Sequence, residues 1–129
     1  MKKLNKIIPM GLYPFDLMLS FNESDKEVKK ALKKFDITPK NTTETTIFDM
    51  DKSKNKIGRM VMFIGKQTII RLNFYPHVNN SFEMGLLQHE IFHTVGFMMS
   101  EISTPLVNET HEAYAYLIGY LTEKIYSEL

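Results

Sequence analysis

The sequence predicts an α+β fold, and three observations carry that expectation. Period-two apolar alternation recurs through the first 75 residues, as half-buried strands require. Apolar spacing at i, i+3, i+4 and i+7 marks an early helix, and two longer helical patterns fill the last 50 residues. Strands come first and helices last, so the strands form a small, mostly antiparallel sheet and the helices pack on one face of it. The expected order is β-α-β-β-β-α-α within one domain spanning 1–129, long enough to bury a core but too short for two.

Residues 15–21 place Phe15, Leu17, Leu19 and Phe21 on one side of a first strand. Ser24 and Glu27 form a capping box, and Val28, Ala31, Leu32 and Phe35 give the helix behind it an apolar stripe. That helix ends before Pro39. Its lysines, Lys26, Lys29, Lys30, Lys33 and Lys34, lie among acidic residues without interleaved aromatics, so they read as a solvated face. Residues 42–50 are β-branched and predict a second strand, followed by a polar loop over 51–56. Strands over 58–64 and 68–75 turn tightly at Gly65 and Lys66. Ile70, Leu72 and Phe74 mark the buried face of the last strand, with Arg71, Asn73 and Tyr75 on the opposite face as cleft candidates.

A short loop at 76–79 leads to Asn80, the N-cap of a helix over about 81–99, with Glu83 three residues on. Phe82, Leu86, Phe92 and Val95 are among its apolar positions. After a connection interrupted by Pro105, a final helix over about 109–127 buries Ala113, Leu117, Leu121 and Ile125. The first of these two helices carries His89-Glu90-Ile91-Phe92-His93. Histidines four residues apart on a helix project from one face, one turn above the other. Two imidazoles so placed can bind one tetrahedral zinc ion, with Glu90 beside them as general base for the metal-bound water.

Composition narrows the remaining possibilities. The chain has no cysteine, so thiolate ligands and disulfides are excluded, and any metal is held by His, Asp or Glu. Net charge is +1 with acids and bases interspersed, which provides no electrostatic footprint for nucleic acid or an anionic membrane. Asn5, Lys6 and Pro9 interrupt the N-terminal segment, so no signal peptide is expected and a cytoplasmic location follows. No run approaches the length of a membrane span.

A hydrolytic zinc site wants three protein ligands and an open position. Residues 108–116 offer Glu109, His111 and Glu112 at the start of a helix able to fold back across the first. Glu112 is preferred because Ala113 beside it permits close helix approach, and Ala113, Tyr116, Leu117 and Tyr120 continue an inward stripe begun by Glu112. His111 is the alternative, giving a three-histidine site. Glu109 also suits a helix N-terminus through the macrodipole. Met98 and Met99 read as hydrophobic gap-fillers.

HExxH followed about twenty residues later by Glu-Ala on a second helix resembles the gluzincin zinc metallopeptidases. The resemblance covers roughly the last 50 residues, and the preceding sheet order suits a minimal zincin-like fold. The stretch from His111 to Tyr120 is similar, more narrowly, to small zinc-peptidase-like proteins of phages and mobile elements. The resemblance implies Zn2+ held by His89, His93 and Glu112, with Glu90 as base. One position departs from it: thermolysin-like members carry an acidic residue one turn after the ligand Glu, to orient a zinc-bound histidine. Here that position is Tyr116, a candidate donor to the oxyanion of a tetrahedral intermediate or a core tyrosine. His77 and Tyr75 are candidates for the same role.

The expected function is a zinc metallohydrolase, a small peptidase acting on a peptide or protein substrate that pairs along an edge strand. The competing expectation is a zincin-like protein-binding module with a structural or vestigial metal site. Hydrolysis of a non-peptide amide is a third reading of the same residues.

Overall fold

The computed structural model describes residues 2–11, 13–34, 57–62 and 67–129. The expected strand over 42–50, its loop at 51–56, Phe35 and the turn at Gly65 and Lys66 lie outside the described residues. The architecture is α+β, with a four-stranded mixed sheet and three helices. The described chain divides into two compact units, Met1–Tyr75 and Pro76–Leu129.

The first unit contains β1 (Leu4–Pro9), β2 (Asp16–Phe21), α1 (Asp25–Lys34), β3 (Gly58–Met62) and β4 (Gln67–Leu72). Sheet order is β1-β2-β4-β3. β1 runs antiparallel to β2 and β3 antiparallel to β4, while the central pair β2 and β4 is parallel. β1 was not expected. It was hidden because its apolar residues, Leu4, Ile7 and Ile8, do not alternate cleanly, and pairing with β2 supplies the missing stabilisation.

Registers explain the core beneath α1. Ile7 opposes Met18 and Met18 opposes Ile69, so one row crosses three strands on a single face. Val28 and Leu32 of α1, with Ala31 beside them, pack on that row. The capping box forms as the spacing predicts: Glu27 N–H donates to Ser24 Oγ at 3.2 Å, and Ser24 N–H donates to Glu27 Oε1 at 3.3 Å. Ahead of it, Asn22 turns the chain with φ 60°, a conformation asparagine tolerates better than most residues. On the other sheet face Leu17, Leu19, Phe21, Ile70 and Leu72 are buried. Both faces of β2 and β4 are therefore covered, as inner strands with a parallel partner require.

Arg71 overturns one expectation. Instead of lining an open cleft it is fully buried. It follows Ile69 by two residues on the α1 side, where its guanidinium pairs with Asp25 and donates to the Glu23 carbonyl at 2.9 Å. The charge is tolerated because it is paired and hydrogen-bonded. β4 also stops at Leu72, so Phe74 and Tyr75 lie beyond the strand.

The second unit is a helical pair, α2 (Ser81–Glu101) and α3 (His111–Tyr126). No helix among the described residues is long and apolar enough to cross a membrane.

Candidate metal centre on the helical pair

α2 begins where its cap demands. The Asn80 side chain accepts the Glu83 N–H at 3.1 Å. Glu83 in turn reaches back beyond the cap: Oε1 accepts the His77 N–H at 2.9 Å and lies 2.8 Å from His77 Nδ1. The hydrogen bond from His77 holds the Glu83 carboxyl below its ordinary 4.5. His77 is thus a brace for the helix start, with its ring otherwise mostly in solvent. Tyr75, the other loop candidate, lies in the first unit with Lys2 Nζ 5.5 Å from its ring centroid. At the far end Ser103 takes φ 57° and α2 closes with Thr104 N–H donating to Met99 O at 2.9 Å.

Leu87, Ile91, Thr94, Val95, Met98 and Met99 form the buried stripe of α2. At 100° per residue, His89 and His93 point almost directly away from it, and both are exposed. Their Nε2 atoms stand 3.1 Å apart, with ring centroids at 4.7 Å and planes at 76°. That separation serves an N–H···N hydrogen bond between the rings. It also matches the edge of a tetrahedron of ligands around zinc, about 3.3 Å for Zn–N bonds of about 2.0 Å. The two ring nitrogens are therefore at the spacing that a pair of imidazole ligands to one metal requires. Glu90 is half-buried at the border of the two faces, and its carbonyl accepts the Thr94 hydroxyl at 2.9 Å.

The outer face around the histidines is apolar. Phe82, Phe92 and Phe97 are exposed, so Phe82 and Phe92 are not core residues of the motif helix. Phe92 meets the His93 ring edge-on with centroids 6.5 Å apart.

The inward stripe of α3 is rotated from expectation. Tyr114, Leu117, Leu121 and Ile125 are buried, Ala113 is half-buried, and Glu112 and Tyr116 face outward. Tyr114 wins the interior because its ring adds apolar area while its hydroxyl donates to Thr104 O at 2.6 Å. Tyr116 is 73% exposed, which removes the reading of a core tyrosine with a satisfied hydroxyl. Glu109 and His111 are exposed, and α3 starts at His111, two residues later than expected.

Gln88 sets the register of the pair. Its Nε2 donates to Thr122 Oγ1 and Tyr126 Oη, both at 3.2 Å, so the start of α2 lies against the end of α3. At 1.5 Å per residue, His89 is then level with Glu123, and Glu112 lies on the order of 10 Å beyond His93 along the axis. His89 and His93 are brought together; Glu112 is not brought to them. Among the described residues no group of three His, Asp or Glu side chains is placed to hold a metal ion.

Glu112 instead lines an open groove of about 490 Å³ on the outer face of α3, with Ala115, Tyr116, Gly119, Tyr120 and Glu123. The sequence signal for this groove was the i, i+4 repeat of small residues Ala115 and Gly119 beside Tyr116 and Tyr120. No family model matches the chain, and no match was found among curated proteins or solved structures.

Proposed function

We propose that the chain is a zinc-dependent metallohydrolase, a small peptidase of the gluzincin type that its HExxH…Glu-Ala pattern resembles. One observation carries the reading: within that motif two outward-facing imidazoles present Nε2 atoms 3.1 Å apart, already at ligand spacing. Bound there, zinc supplies Lewis acidity and a water with pKa lowered towards ~7. His89 and His93 would hold the metal, with Glu112 as the third ligand that the resemblance implies. Glu90, one residue from His89, would act as the general base and acid of the site, holding a proton on its carboxylate until the leaving amine takes it. Tyr116, with its ring free of the core, is the proposed hydrogen-bond donor to the oxyanion. A peptide or protein, rather than nucleic acid or membrane, is the proposed partner, and the cytoplasm the proposed compartment.

Elemental mass spectrometry on wild type, His93→Ala and Glu112→Ala tests the ligand set. Near-stoichiometric zinc in wild type, lost in both variants, supports it; zinc retained by Glu112→Ala removes Glu112 from the set. Glu90→Gln then keeps zinc and loses hydrolysis of a casein or peptide-library substrate, and retained hydrolysis sinks the mechanism.

A second reading has its own support. The absence of a third ligand at the pair among the described residues favours a binding module whose metal is structural or vestigial. Chelation distinguishes the two. A catalytic metal leaves the circular-dichroism spectrum largely intact while activity disappears, whereas a structural one takes the fold with it.

A further inference from the structure

We propose that the outward groove of α3 binds an extended peptide segment carrying lysine or arginine at two positions four residues apart. The groove is bounded by Glu112 and Glu123, walled by Tyr116 and Tyr120, and floored by Ala115 and Gly119. These lining residues contribute two carboxylates, two aromatic faces and no cation. A peptide backbone can lie close because the floor is small: a Cβ added at Gly119 would meet nothing within 4 Å.

The chemistry of the walls favours a cation. Lys124 Nζ already stands 5.6 Å from the Tyr120 ring centroid, so that ring accepts an ammonium from this chain itself. Tyr116, one turn earlier and more exposed, presents a second ring for a cation from outside. The carboxylates add the charge-assisted hydrogen bonds that fix a lysine or arginine head.

Spacing sets the length. Glu112 and Glu123 are eleven residues apart on a helix, about 16 Å along the axis. An extended peptide advances about 3.3 Å per residue and alternates its side chains between two faces, so lysines four residues apart share a face about 13 Å apart, and their long stems reach the remaining distance. The Glu123 end is level with His89 along the helix axis. The inference rests on the binding-module reading, because a Glu112 that holds zinc is not available to a lysine head.

Fluorescence anisotropy tests it on the full wild-type chain. The probe is a labelled pentapeptide with lysine first and fifth and alanine between, its integrity checked by mass spectrometry. Its counterparts carry norleucine at both ends, or lysine first and third. The two-ended lysine peptide is expected to bind about tenfold tighter than the norleucine one, and Glu123→Gln to weaken it about threefold. Equal affinity for the norleucine peptide, no binding of either, or indifference to Glu123→Gln overturns the proposal. Equal binding of the closely spaced lysines overturns the two-ended geometry. Zinc content is read on the same preparations, so a chain that holds no zinc yet binds the peptide fails the metal reading alone.

Discussion

At the scale of single residues, the consequential groups are charged ones whose surroundings decide their behaviour. Arg71 is buried beside Asp25, and removing one member of such a pair strands the other. Arg71→Ala is expected to cost about 3 kcal/mol in urea unfolding, and Arg71→Met clearly less because the stem volume is kept. Glu83 behaves differently because it is a surface group. Its carboxyl is held below 4.5 by His77, so the stabilisation it provides is complete above pH 4.5 and disappears as pH falls through the lower folded value. Protection of the His77 and Glu83 amides, measured against their intrinsic exchange rates at each pH, should therefore fall on acidification through that window, and Glu83→Gln should flatten the response. Glu27 follows the same sign, with Lys3 at 2.7 Å as the leading cause.

At the scale of elements, α2 and α3 are positioned by few polar contacts, each open to test. Asn80→Ala removes the cap of α2 and is expected to cost about 1 kcal/mol. Gln88→Ala loses both bonds to α3 and should cost about the same, read as faster exchange in the last two turns of α3. Gly119→Ala is expected to go the other way. Its added Cβ meets open space, so helix propensity gains about 1 kcal/mol, while the raised groove floor weakens binding of the two-ended lysine peptide. A destabilised Gly119→Ala variant would mean the groove floor is occupied. The caps of α1 and α2 were legible from the sequence because Ser24 with Glu27, and Asn80 with Glu83, act within one turn. The face of α3 was not: Glu112-Ala113 and Tyr114-Leu117 are both plausible apolar borders, and only the Gln88 and Thr104 contacts choose between them.

For the whole molecule, metal and stability are linked by mass action. A ligand that binds only the folded chain at a hundredfold excess over its dissociation constant adds about 2.7 kcal/mol. Zinc should therefore raise the unfolding midpoint of wild type, and His93→Ala should abolish the shift. An unchanged midpoint in wild type, with no metal retained on dialysis, would leave the histidine pair as an outward ring contact and favour the binding role.

What the sequence determined by itself was everything that repeats over a few residues. Period two placed Leu17, Leu19 and Phe21 on one strand face, and the four-residue spacing of His89 and His93 placed their ring nitrogens together. Tertiary structure decided what depends on partners far along the chain. β1 exists because Ile7 meets Met18, β2 pairs in parallel with a strand about 50 residues later, and Arg71 is buried because α1 brings Asp25 to it. The place of Glu112 was also decided there. A helix fixes the angle between its own side chains to a few degrees, but the sliding and rotation of one helix against another are set by contacts such as Gln88 with Thr122, which no local pattern encodes.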